Sequence, residues 1–150
     1  MLHRTIHIRN NAAELERANR EIARYLEMRG VARDFIQAIS LGLEEAVTNI
    51  LKYGHDDQQD HQIEITLQLM DSKLRLTIID DGHEFNPLDQ PEPDLTGSLD
   101  DREPGGLGIF FLVNLFDQIE YRREKEKNLI TLVKFMASPL AGEKTRRDGP

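Results

Sequence analysis

Apolar positions in this chain of 150 residues recur with two different periods, and the changes of period divide it into elements. Ile6 and Ile8 alternate with polar neighbours, which predicts a short strand. From 12 to 29 the spacing lengthens. Leu15, Ala18, Ile22, Tyr25 and Leu26 recur every three or four residues, predicting a helix capped by Asn10 or Asn11 and ended by Gly30. A second helix is predicted over 33–53, with an inward stripe of Phe35, Ile36, Ile39, Leu43, Ala46, Val47 and Ile50 and Gly54 as its stop. Alternation returns at Ile63, Ile65, Leu67 and Leu69, and again at Leu74, Leu76 and Ile78. Asp71-Ser72-Lys73 between them makes the pair a hairpin.

The stretch 80–104 breaks both periods. It holds Pro87, Pro91, Pro93 and Pro104 and few large apolar residues, and a loop this long in a compact domain is usually functional or mobile. Beyond it a helix is predicted over 107–116, entered through Gly105-Gly106. Two strands come next, over 118–123 and 128–135, joined by a charged turn. Residues 138–150 are polar and read as a disordered tail, leaving one domain over 1–137. The order β-α-α-β-β-loop-α-β-β is dominated by hairpins. It predicts a two-layer α/β sandwich with a mixed, mostly antiparallel sheet and helices on one face.

Composition narrows the function classes. Without cysteine there is neither a disulfide nor a thiolate metal site. No apolar run approaches the ~20 residues of a membrane span, and the first ten residues lack the apolar core of a signal peptide, so a cytoplasmic protein is expected. The net charge of −8 argues against direct nucleic-acid binding. It serves solubility or offers an acidic surface to a basic partner.

Four short patterns carry candidate chemistry. Glu45 and Asn49 are spaced i, i+4, which places a carboxylate and an amide on one helix face at the margin of the apolar stripe. Lys52 and Tyr53 come directly after, a point charge for phosphate and a flat face for a base, or else an ordinary helix-end lysine and a packing tyrosine. Asp80-Asp81-Gly82 stands where an apolar strand stops. There a carboxylate can accept from an exocyclic amine and glycine allows close backbone approach, though D-G is also a common turn. Gly105-Gly106-Leu107-Gly108 opens a helix, where free backbone N–H groups and the dipole suit an anion. It is neither a Walker A motif nor a dinucleotide fingerprint.

Taken in this order, the stretches LEEAVTNILKYG, IIDDGHEFNP and GGLGIFFLVNLFDQIEY resemble the N-box and the two glycine boxes of the GHKL ATPase superfamily. Within it the likeness is to small anti-sigma-factor serine kinases of the RsbW and SpoIIAB type, over roughly 6–135. The resemblance implies the Bergerat ATP-binding fold, with ATP and Mg²⁺ as cofactors. It makes Glu45 the general base and Asn49 the Mg²⁺ ligand. Lys52 would touch phosphate, and Tyr53 would pack on adenine. Asp80 would read the adenine amino group with Gly82 beside it, and Gly105, Gly106, Leu107 and Gly108 would line the phosphates. It puts Thr131 near the adenine and makes 80–104 an ATP lid. Glu84 stands where the first glycine box often has a second glycine. Implied partners are a STAS-type anti-anti-sigma protein as phosphoacceptor, a sigma factor, and a second copy of the chain in a homodimer. Two other readings compete: a nucleotide-binding adaptor without phosphotransfer, and a detached histidine-kinase ATPase domain.

Overall fold

The computed structural model describes residues 2–89 and 112–136. Strand β1 (Leu2–Arg9) leads into helix α1 (Ala12–Glu27) and helix α2 (Arg33–Tyr53). Strands β2 (Gln62–Leu69) and β3 (Lys73–Asp80) form the first hairpin. A 3-10 turn (Pro87–Asp89) comes next, and β4 (Gln118–Glu124) and β5 (Lys127–Phe135) form the second hairpin. The five strands make one sheet in the order β1-β2-β3-β5-β4. All four pairings are antiparallel, so the sheet carries no parallel pair among the described residues. As no helix has to cross between parallel neighbours, α1 and α2 lie together on one face.

Local chemistry explains the boundaries. Asn11 caps α1, its side-chain oxygen accepting from the backbone N–H of Glu14 at 2.9 Å. The predicted end at 29 is two residues late, because the helix closes at Glu27 and the chain turns at Gly30, whose φ is 78°. Gly54 ends α2 in ordinary right-handed geometry, its N–H still donating to Ile50 O. Its lack of a side chain serves packing rather than backbone freedom. Of the predicted helix over 107–116, the part up to 111 lies outside the described residues. The chain is helical over 112–115. That turn is held to β5 by Lys134 Nζ donating to Leu115 O and by Asp117 N–H donating to Val133 O.

The core lies between the helices and one phase of each strand. Ile6, Ile8, Ile63, Ile65, Leu67, Leu69, Leu74, Leu76 and Ile78 meet Ala18, Ile22 and Leu26 of α1 and Ile39, Leu43 and Val47 of α2. Each such aliphatic side chain is worth ~1.5–3 kcal/mol when fully buried. Phe116 closes one end by laying its ring on Gly42, where a Cβ would stand 2.4 Å from the ring. The other face is polar. Thr5, Thr66, Thr77 and Thr131 stand side by side across four strands, and the Thr5 and Thr66 hydroxyls are 3.3 Å apart. No helix among the described residues is long and apolar enough to cross a membrane.

Candidate functional site

A cleft opens where α2 runs over the ends of β3 and β5. Ala46, Ile50, Phe85, Pro87 and Ile130 give it an apolar lining, into which Asn49, Asp80, Tyr121 and Asn128 bring polar groups. Asn49, Asp80 and Asn128 are the buried polar residues among those described, at 6%, 5% and 7% exposed. A buried polar group is costly unless it is paired, so three of them around one cleft single it out as a candidate site.

Asp80 and Asn128 are opposite each other in the β3–β5 register. Asp80 Oδ2 accepts from Gly82 N at 2.9 Å and from Asn128 Nδ2 at 3.3 Å. Burial raises the carboxyl's pKa above its usual value, and those two hydrogen bonds oppose the rise. Asn128 also donates to His83 O at 2.8 Å, while its Oδ1 accepts from Arg123 Nη1 at 3.1 Å and from the Tyr121 hydroxyl. Arg123 Nη1 donates in turn to Gly82 O at 2.7 Å. One amide thus ties loop 81–85 to the β4–β5 hairpin. Sequence reasoning missed Asn128, whose role shows only once β3 and β5 are in register.

Gly82 has a packing role that its sequence context did not show. A Cβ there would lie 2.6 Å from Gly54 O and 2.8 Å from Gly54 Cα. His83 N–H donates to that same carbonyl at 2.7 Å. The close approach is made to the end of α2, and the two glycines let the loop and helix meet backbone to backbone.

The remaining predicted site residues fall into four groups. Glu45 is half-buried on α2 beside the cleft but does not line it, as Ala46 and Asn49 do. Burial first, and the Glu44 carboxylate second, raise its pKa, with Lys52 opposing. Lys52 and Tyr53 are exposed at the helix end, and neither lines the cleft. The Tyr53 ring stacks instead on Phe85, with centroids 5.1 Å apart and planes at 20°, so it borders the cleft through Phe85. Thr131 requires a correction. It lies in the outward phase of β5, with Arg75, Gln118, Glu120, Arg122, Leu129 and Val133 in a shallow depression on the open face. Alternation puts it on the opposite side of the sheet from Asn128 and Ile130. Gly105, Gly106, Leu107, Gly108 and most of 80–104 lie outside the described residues.

An apolar slot with a buried carboxylate and two buried amides suits a flat heterocycle bearing an exocyclic amine, and the donor set fits an adenine nucleotide. The comparisons with known proteins give the family. The histidine kinase-like ATPase domain family matches residues 8–134, and the chain belongs to it. Among curated proteins, the chain is similar to an anti-sigma F factor of Oceanobacillus iheyensis, at 26% identity over 124 residues and 83% of each chain. It is similar to the serine/threonine-protein kinase BtrW of Bordetella bronchiseptica, at 29% identity over 66% of this chain and 70% of that protein. A serine-protein kinase RsbW of Staphylococcus aureus is 27% identical over 63% of each. Among solved structures, the RsbU and RsbW domains of a Mycobacterium tuberculosis protein superpose with a TM-score of 0.65 at 15% identity. That match covers 90% of this chain and 33% of the larger one, and it bears on the fold.

Proposed function

We propose that this chain is an ATP-dependent protein serine/threonine kinase and anti-sigma factor whose phosphoacceptor is a STAS-type anti-anti-sigma protein. The observation that carries the reading is the convergence of Asp80, Asn128 and Asn49 on one apolar cleft directly beside Glu45. Relatives named as anti-sigma factors and as serine or serine/threonine kinases support the same assignment.

Each residue has a task in this reading. Asp80 accepts from the exocyclic amine of the base, and Asn128 holds Asp80 and the loop after it in place. Phe85, with Tyr53 stacked behind it, forms the rim of the base slot. Asn49 is the Mg²⁺ ligand. That ion keeps most of its waters and needs few protein donors, so a single amide at the cleft is sufficient. Lys52 reaches phosphate, and Gly105, Gly106 and Gly108 offer backbone N–H groups to the phosphate chain. Magnesium-ATP, when bound, supplies the phosphoryl group. Glu45 takes the proton from the acceptor hydroxyl, and the raised pKa that burial gives it makes it a better base. The protein works in the cytoplasm, binds a sigma factor on another surface, and pairs as a homodimer.

The test is phosphate transfer from labelled ATP to a purified STAS protein, for wild type and Glu45→Gln. Transfer should fall by ~10²–10⁴-fold in the variant, the usual worth of a positioned base, with ATP affinity kept. If wild type binds ATP and transfers to no STAS protein, the chain is a nucleotide-binding adaptor.

A further inference from the structure

Behind the cleft, across the Gly54–Gly82 junction, the loop after α2 gathers two histidines and two aspartates. His55 is next in the chain to Gly54, whose carbonyl accepts from His83. The backbone of His61 is fixed on both sides, donating to Asn10 Oδ1 at 2.8 Å and accepting from Asn10 N at 3.0 Å. The two imidazoles stack face to face, with centroids 3.4 Å apart and planes within 4°. His61 Nε2 lies 2.7 Å from Asp57 Oδ1. Asp81 Oδ1 lies 3.2 Å from His55 Nε2 and 3.7 Å from His61 Nδ1. Both rings are largely enclosed, at 12% and 19% exposed, while the carboxylates open to solvent.

One atom in this group stands out. His55 Nε2 is buried and makes no hydrogen bond, although Asp81 lies within reach. A buried nitrogen that faces a carboxylate without hydrogen-bonding to it is costly and calls for an explanation. The donor atoms of His55, Asp57 and His61 all lie within 4.8 Å of one another, close enough to share one ion. We propose that His55, Asp57 and His61, with Asp81 as fourth donor, form a transition-metal site that takes Zn²⁺. Imidazole with carboxylate is a donor set for zinc and its neighbours, whereas magnesium prefers oxygen donors and water. The parallel rings cannot both aim a lone pair at one ion as they stand. Rotation about the Cβ–Cγ bonds, a broad torsion for histidine, opens the stack without moving the pinned backbone.

The site lies outside the nucleotide cleft yet touches its frame. Asp81 is the neighbour of Asp80 in the chain, and His55 lies just past the end of the helix that carries Asn49. A bound ion would pin loop 55–61 to the start of the loop directly after the base-reading carboxylate.

The experiment is zinc titration by calorimetry on the full chain with any purification tag removed, paired with histidine ring NMR. The expected result is one equivalent of Zn²⁺, held in the presence of excess Mg²⁺. The His55 and His61 ring signals should move while those of His3 and His7 stay. His55→Ala and His61→Ala should each weaken binding at least about tenfold, in line with losses on disturbing a metal shell. Asp57→Asn, a near-isosteric change at an exposed position, should weaken it too and guards against loss of fold in the histidine variants. Absence of stoichiometric binding overturns the proposal. So does binding that survives in the His55→Ala/His61→Ala double variant, or ring signals that move at His3 and His7 instead.

Discussion

The two phases of β3 and β5 make opposite use of the same strands. In the inward phase, Leu74, Leu76 and Ile78 are fully buried and the series ends on Asp80, while Ile130 and Leu132 come after a start on Asn128. In the outward phase, Thr77 pairs with Thr131 on a polar surface among Arg75, Glu120 and Arg122. A side chain's phase therefore decides what its polarity is for. A threonine facing out needs no partner but water. A carboxylate or amide facing in must be satisfied by the fold or by a ligand. Asp80 and Asn128 stand at the strand ends bordering the cleft, while Lys134, inward at the far end of β5, is satisfied by the Leu115 carbonyl.

Asp80→Asn puts the most strain on this contrast, because it should push stability and binding in opposite directions. Affinity for ATP should fall about tenfold or more, the worth of one charged hydrogen bond at ~1.5–3 kcal/mol, measured by calorimetry. Stability without nucleotide should rise at neutral pH. Burial raises the Asp80 pKa above the ordinary aspartate value of 3.8, so the folded state holds this proton more tightly than the unfolded state. The stabilisation from protonation is fully present below the unfolded value and is lost as pH rises through the folded one. At pH 7 the ionised carboxylate is thus a cost that Asn removes. The variant's advantage in Tm should shrink as pH falls towards 4, and an advantage that grows on acidification would refute this role for burial.

Asn128→Ala comes next. It leaves Asp80 with one fewer donor and removes the amide's bonds to the carbonyls of Gly82 and His83, leaving Arg123 as the hairpin's tie to Gly82 O. Unfolding in urea should show a loss of ~1–3 kcal/mol, the cost of stranding buried polar partners. ATP affinity should fall as well, because the loop that carries Phe85 loses its ties to the amide. Loss of stability with affinity intact would make Asn128 a structural residue only.

These effects also show what was legible in the sequence. Both helices and all five strands could be read from apolar period, because burial on one face imposes that period directly. Asn49 and Asp80 were legible because short motifs place them at a helix margin and a strand end. Asn128 was not, since its role comes from register with Asp80, a partner 48 residues away that local pattern does not encode. Nor was the packing of Gly82 on Gly54, which exists only once α2 and the loop are in place. The His55–His61 stack depends in the same way on Asn10 fixing the second ring's backbone.

The smallest effect is the most discriminating. Thr131→Val keeps the β-branched shape and removes only the hydroxyl, on the face turned away from the cleft. Its partners across the sheet are Thr77 and Glu120, both with access to water, so no buried group is stranded. Stability should stay within about 0.5 kcal/mol of wild type, as for surface substitutions generally. ATP affinity should be unchanged. Phase puts Asn128 on the cleft side beside Asp80 and leaves Thr131 on the other face. If the valine variant lost affinity while Asn128→Ala kept it, the strand would have to present its opposite face to the nucleotide. That requires a one-residue slip of β5 against β3, which would carry Ile130 and Leu132 out of the core at a cost of several kcal/mol.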